Sequence, residues 1–186
     1  TSEGVWAIII RRTQLPVSTL DNATGMVATT AVDKVTPIPL AIHPKREILE
    51  VYSGSTMAIE QVGVFLSSCL AFPTLTESIE LDILSAVEKL SENTQRFLIT
   101  KAKVNDHAHT SYMIGPYDPK FLDSEHGREF LEEHAEHLHS VSVKFQGPSG
   151  KVSIRLTNKT CFGFSCHEND QSWVQQILRN LVYKSE

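Results

Sequence analysis

Between Val141 and Leu156 apolar and polar residues alternate along two successive runs. Val141, Val143 and Phe145 interleave with Ser142, Lys144 and Gln146. After Gly147-Pro-Ser-Gly150, Val152, Ile154 and Leu156 interleave with Lys151, Ser153 and Arg155. Successive side chains of a strand point to opposite faces, so this pattern predicts a β-hairpin with one apolar face and one polar, cationic face. The apolar face has to be covered, and the helical stretches elsewhere in the chain are there to cover it.

Those stretches are read from spacing. Ile59, Val62, Leu66, Cys69 and Leu70 recur at helical intervals behind the turn at Ser53-Gly-Ser-Thr56, until Pro73. Cys69 lies on that stripe and reads as a core residue. Thr74-Leu-Thr-Glu77 has the form of a capping box ahead of Ile79, Ile83, Val87 and Leu90. Asn169-Asp170 is expected to cap a final helix, with Trp173, Val174, Ile177 and Leu181 inward.

Strands are expected at Arg96 to Val104 and, after a turn at Asn105-Asp106, from His107 to Ile114. Gly115-Pro-Tyr-Asp-Pro119 then breaks the chain. A short strand is expected from Thr160 to Ser165. Near the start, Val5 to Ile10 is apolar on both alternating faces, as in a strand buried on both sides. Residues 13–45 are rich in Thr and Pro and read as an irregular, partner-ordered excursion containing an extended piece near Met26 to Val32. The expected whole is a single domain over 1–186 of α+β class, a mainly antiparallel sheet with about four helices packed on it.

Charge is distributed unevenly. Asp118 to His139 holds seven carboxylates against Lys120 and Arg128, and the rest of the chain is balanced, so the net −5 of the protein resides in this segment. It reads as one acidic helix running directly into the hairpin. Ser140 to Thr160 carries Lys144, Lys151, Arg155 and Lys159 with no acid, and Lys101 and Lys103 extend that set. If the helix packs on the hairpin's apolar face, Glu129, Glu132 and Glu136 point away on one side and Lys144, Lys151 and Arg155 on the other. Opposite charges on opposite faces suit head-to-tail self-association, or docking of another protein. The cationic face also suits an anionic surface, whereas the overall acidity argues against nucleic acid.

Six of the eight histidines fall between His107 and His139. His107 and His109 alternate on a strand, and at ~100° per residue His126, His134 and His137 share one edge of the acidic helix. His107, His109, His134 and His137 are therefore a candidate ligand set for a divalent metal, with metal-dependent hydrolysis as its extension. The plainer reading places these histidines at the border between an apolar stripe and a solvated face. No His-Glu-x-x-His, Cys-x-x-Cys, Gly-x-Ser-x-Gly or phosphate-loop pattern occurs. With no catalytic residue singled out, a non-catalytic interaction or structural subunit is the expected function. A metal-binding protein and a carrier of a small apolar ligand are the alternatives.

Three cysteines are too few for a disulfide framework. Cys161 and Cys166 are too far apart in an extended run to bond. Sequons occur at Asn22 and Asn158, but no signal pattern opens the chain, so an intracellular location is favoured over secretion. The best apolar run, Val62 to Phe72, is about half the ~20 residues that a membrane span needs.

Overall fold

The computed structural model describes residues 4–53, 55–69, 77–110 and 113–183, with backbone alone at 56, 106–110 and 113. Its described residues form four α-helices and two antiparallel sheets, an α+β fold. The chain divides into two compact units, Thr1–Thr76 and Glu77–Glu186.

The first unit is a long hairpin with a helix. β1 (Val5–Leu20) pairs with β2 (Val27–His43) along its whole length, and β3 (Ile48–Val51) pairs with the end of β2. Residues 13–45, read as an irregular excursion, are thus mostly regular sheet. Threonine is a good strand residue, and the prolines fall where the ladder tolerates them. Pro16 is on an edge strand, and Pro37 and Pro39 lie outside the stretch of β2 that β3 covers.

At the hairpin tip the Asp21 carboxylate accepts hydrogen bonds from Ala23 N at 2.9 Å and Thr24 Oγ1 at 2.8 Å. Gly25 supplies the left-handed residue, with φ of 67°. Helix α1 (Thr56–Cys69) sets Ala58 and Val62 against Ile38 and Leu40, with Ile9, Ile42, Leu49, Val51 and Leu66 around them. The run Val5 to Ile10 is a strand as expected but is not buried on both sides, for only Ile9 of its large residues joins this core. Cys69 is exposed rather than packed.

The second unit is larger. Helix α2 (Ile83–Asn93) begins later than expected, with the Asp82 carboxylate accepting from Ser85 N at 3.2 Å. The capping-box reading at Thr74 to Glu77 lies largely outside the described residues. β4 (Gln95–Thr110) runs straight through Asn105-Asp106, where a turn was expected, and meets β5 (Met113–Tyr117), which includes the Gly115-Pro116 read as a break. β5 is an edge strand, where a proline costs no ladder bond.

Helix α3 (Ser124–Glu133) follows, capped by Asp123, whose carboxylate accepts from His126 N at 3.0 Å. The acidic helix ends at Glu133, not at His139. Ala135–His137 form a 3-10 turn and Leu138 already belongs to β6 (Leu138–Gln146). β6 pairs with β7 (Lys151–Thr157) in the register that alternation predicts: Val141 with Leu156, Val143 with Ile154, Phe145 with Val152. β8 (Phe162–Ser165) and α4 (Gln171–Val182) complete the chain, the sheet order being β5-β4-β6-β7-β8.

Apolar side chains of β4, β6 and β7 form one core with Ile83, Val87 and Leu90 of α2, Leu131 of α3, and Val174 and Leu178 of α4. α3 lies close enough to the sheet that a Cβ on Gly127 would stand 2.9 Å from Ile99 Cβ. Asp170, read as a helix cap, makes no side-chain cap bond. Its buried carboxylate instead accepts from Ser149 N at 3.1 and 3.0 Å, tying the start of α4 to the hairpin turn.

Candidate functional site

All three helices of the second unit pack on the apolar face of its sheet. Among the described residues of this unit, no helix covers the opposite face. Register decides what that face displays. Lys103 stands opposite Ser140, Lys101 opposite Ser142, and Ser142 opposite Arg155. Lys144 pairs with Ser153 and Lys151 with Gln146 nearer the turn.

Two irregularities frame the first group. Between Ile99–Val143 and Lys101–Ser142, β4 holds one surplus residue, Thr100. Between Lys103–Ser140 and Val104–Leu138, β6 holds one, His139. These are β-bulges, which bend a strand and re-aim its side chains. Between them lies a depression of about 70 Å³, lined by Lys101, Ala102, Lys103, Asp118, Ser140, Ser142 and Arg155. Asp118 arrives through the chain after β5, where Ala102 N donates to Pro119 O and Phe121 N to Thr100 O.

Lys101 is paired with Asp118 at 2.5 Å. Arg155 Nη2 donates to Ser140 Oγ at 3.4 Å, and Ser140 is only 4% exposed. No described carboxylate pairs with Lys103. The field here is positive. His139 sits below the ordinary imidazole range because it is partly desolvated and because Lys103, Arg155 and Lys159 oppose its protonation.

The acidic residues lie elsewhere on the unit. Glu129 and Glu132 are exposed on α3, and Glu136 is exposed in the following turn. His126 Nδ1 lies 2.9 Å from the Asp123 carboxylate, which raises the His126 pKa by hydrogen bonding and charge, with Glu129 and Glu125 adding to it. The same bonds lower the Asp123 pKa.

The histidine set is divided. His134 caps α3 with its ring 4.4 Å from that of Phe130, and His137 is exposed in the next turn, so the two do not share a helix. The side chains of His107 and His109 lie outside the described residues. Among the described residues, no group of three or more His, Cys, Asp or Glu is placed to hold a metal ion. The three cysteines are free. No described helix is long and apolar enough to cross a membrane.

Of the residues singled out from sequence, Lys101, Lys103 and Arg155 line the depression, and Lys144 and Lys151 lie on β6 and β7 nearer the turn. Ser140, Ser142 and Asp118 were not anticipated. The two serines carry a readable signal, since they alternate with Val141 and Val143. Asp118 carries none, because its place depends on a long-range pairing. Comparison with known proteins gives no match to any family model, characterised sequence or solved structure.

Proposed function

We propose that this chain is an interaction subunit that assembles head to tail, the acidic α3 flank of one copy docking on the cationic sheet face of the next. The observation that carries the reading is the one-sided packing of the second unit. Helices fill one face of its sheet, while the other presents Lys103, Lys144, Lys151 and Arg155. Glu129, Glu132 and Glu136 supply the complementary charge from the helical side.

A contact between two different surfaces of the same molecule propagates into a ring or a chain. Exposed ion pairs contribute at most ~1 kcal/mol each, so several must act together and added salt weakens the assembly.

Light scattering on the full chain tests this. The wild type is expected to grow in mass with concentration at low salt and to shrink at high salt. A Lys144→Glu, Arg155→Glu variant and a Glu129→Lys, Glu132→Lys variant are each expected to stay monomeric. Their mixture is expected to associate, because the acidic flank kept by the first fits the cationic face kept by the second. A wild type that is monomeric at every concentration, or a mixture that does not associate, overturns the reading.

A further inference from the structure

The depression between the two bulges is chemically different from the flat cationic surface around it. It brings two cations, Lys103 and Arg155, to the same small concavity as two serine hydroxyls, with Lys101 and Asp118 neutralising each other at the rim. Ser140 is the most telling of these groups. It is almost wholly buried, its Oγ accepts from Arg155, and no described residue accepts its proton. A buried hydroxyl without an acceptor carries a desolvation cost, unless something entering the depression accepts from it. Lys103, opposite it on the neighbouring strand, likewise has no described carboxylate.

The ligand that matches these groups is a compact anion with several acceptor oxygens. A volume of about 70 Å³ is several times the ~10–15 Å³ needed to seat one water, enough for a group of a few heavy atoms but not for a nucleotide. A carboxylate offers two oxygens in a plane. A tetrahedral oxyanion offers more, in directions that can meet Lys103, Arg155 and both hydroxyls together, and arginine favours phosphate geometry.

We infer that Lys103, Arg155, Ser140 and Ser142 form a binding site for a single phosphate group, either the free ion or the terminal group of a phosphate ester. The site shares a face with the proposed assembly contact but does not depend on it, since its ligand is a small anion and its defining groups lie in the depression. The bulges at Thr100 and His139 bracket the residues concerned, a placement that recurs where sheets carry functional sites.

The test is titration of the full chain with inorganic phosphate, O-phosphoserine and acetate at constant ionic strength held with chloride, followed by calorimetry and by amide shifts. Phosphate or phosphoserine is expected to bind saturably and ~10-fold or more tighter than acetate, the margin that hydrogen bonds to a charged group supply. Preference for inorganic phosphate assigns the free ion, and preference for phosphoserine assigns an ester. Lys103→Gln and Arg155→Gln are each expected to weaken binding ~10-fold on the same basis. Lys144→Gln, on the same face outside the depression, is expected to leave it unchanged.

Arg155→Lys, which keeps the charge, is expected to recover part of the loss, and thermal melting confirms that each variant is folded. His139 is expected to titrate higher in the phosphate-loaded protein, as the field of Lys103, Arg155 and Lys159 is neutralised. Phosphate binding that persists in the Glu129→Lys, Glu132→Lys variant separates this site from head-to-tail assembly. Phosphate that binds no better than acetate overturns the site. So does a loss in Lys144→Gln equal to that in Arg155→Gln.

Discussion

Each unit of this protein is built on a β-hairpin, and the two differ in nearly every respect except topology. β1 and β2 pair sixteen residues with sixteen, whereas β6 and β7 pair seven with seven. The shorter hairpin is the buried one. Val143, Ile154 and Leu156 are at most 1% exposed, while Trp6, Ile8 and Ile10 are 56%, 63% and 55% exposed. Apolar content therefore does not decide burial. Strict alternation tells a sheet which face to turn inward, and three helices then cover that face. The run Val5 to Ile10 is apolar on both sides, and α1 covers only one of them, near its own end of the sheet.

Both hairpin turns are held by an aspartate, again in different ways. Asp21 binds groups two and three residues ahead in its own turn, in the open. Asp170 reaches back 21 residues from the start of α4 and is 1% exposed. The first bond can form as soon as the turn does. The second exists only when helix and hairpin are both in place.

Charged substitutions in the two hairpins should give the largest contrast. Ile154→Asp buries a carboxylate in the main core and is expected to cost more than ~4 kcal/mol, enough to unfold the second unit. Ile8→Asp places the same charge on an exposed face and is expected to change stability by less than ~1 kcal/mol. Urea unfolding followed by tryptophan fluorescence resolves the two, because Trp6 reports on the first unit and Trp173 on the second. Equal losses in both variants would mean that the β1–β2 face is covered in solution.

The turn aspartates should separate less widely. Asp170→Ala leaves Ser149 N without its acceptor and is expected to cost about 1–3 kcal/mol by thermal melting. Asp21→Ala removes only local, solvated bonds and is expected to melt with the wild type.

Acid should give the smallest effect, confined to the first hairpin's tip. The Thr24 hydroxyl, then Ala23 N, hold the Asp21 pKa below its ordinary 3.8. A carboxylate depressed by folding adds stability above its unfolded pKa of ~3.9, and that stability is lost as pH falls through the lower folded value. Amide exchange at Ala23 and Thr24 is expected to quicken, relative to the exchange chemistry of an unfolded chain, only below pH ~4. Protection unchanged down to pH 2 would show that the turn holds without the Asp21 carboxylate, on its backbone hydrogen bonds and Gly25.

How much of this was legible in sequence follows from the same contrast. The register of β6 and β7 could be read residue by residue because a single period runs through it. The boundary between α3 and β6 could not. Leu131 and Leu138 are seven residues apart and point inward whether the chain between them is all helix or ends in a 3-10 turn and a strand, so the helix was drawn too long. Asn105-Asp106 has the chemistry of a turn, yet β4 continues there because β5 pairs further along it, His107 opposite Gly115. In the candidate site, Arg155 and the two serines were visible as the polar half of an alternating pattern. Their meeting with Lys103 depends on how β4 aligns with β6, and that with Asp118 on how the chain after β5 returns to β4, which no local pattern encodes.

The two bulges have one more consequence. Without Thr100, the series Ile99, Lys101, Ala102, Lys103, Val104 would alternate inward and outward with no break. Without His139, so would Val143, Ser142, Val141, Ser140, Leu138. Over this stretch each strand is thus one residue longer than its core requires. A chain shortened by one residue at both places could still lay down the same apolar face against the same helices. What it would lose is the local bend that a bulge gives a strand, on either side of Lys103 and Ser140. Those surplus residues are a part of the sequence that evolution could add or remove while leaving the core intact, and with them the hollow would come or go.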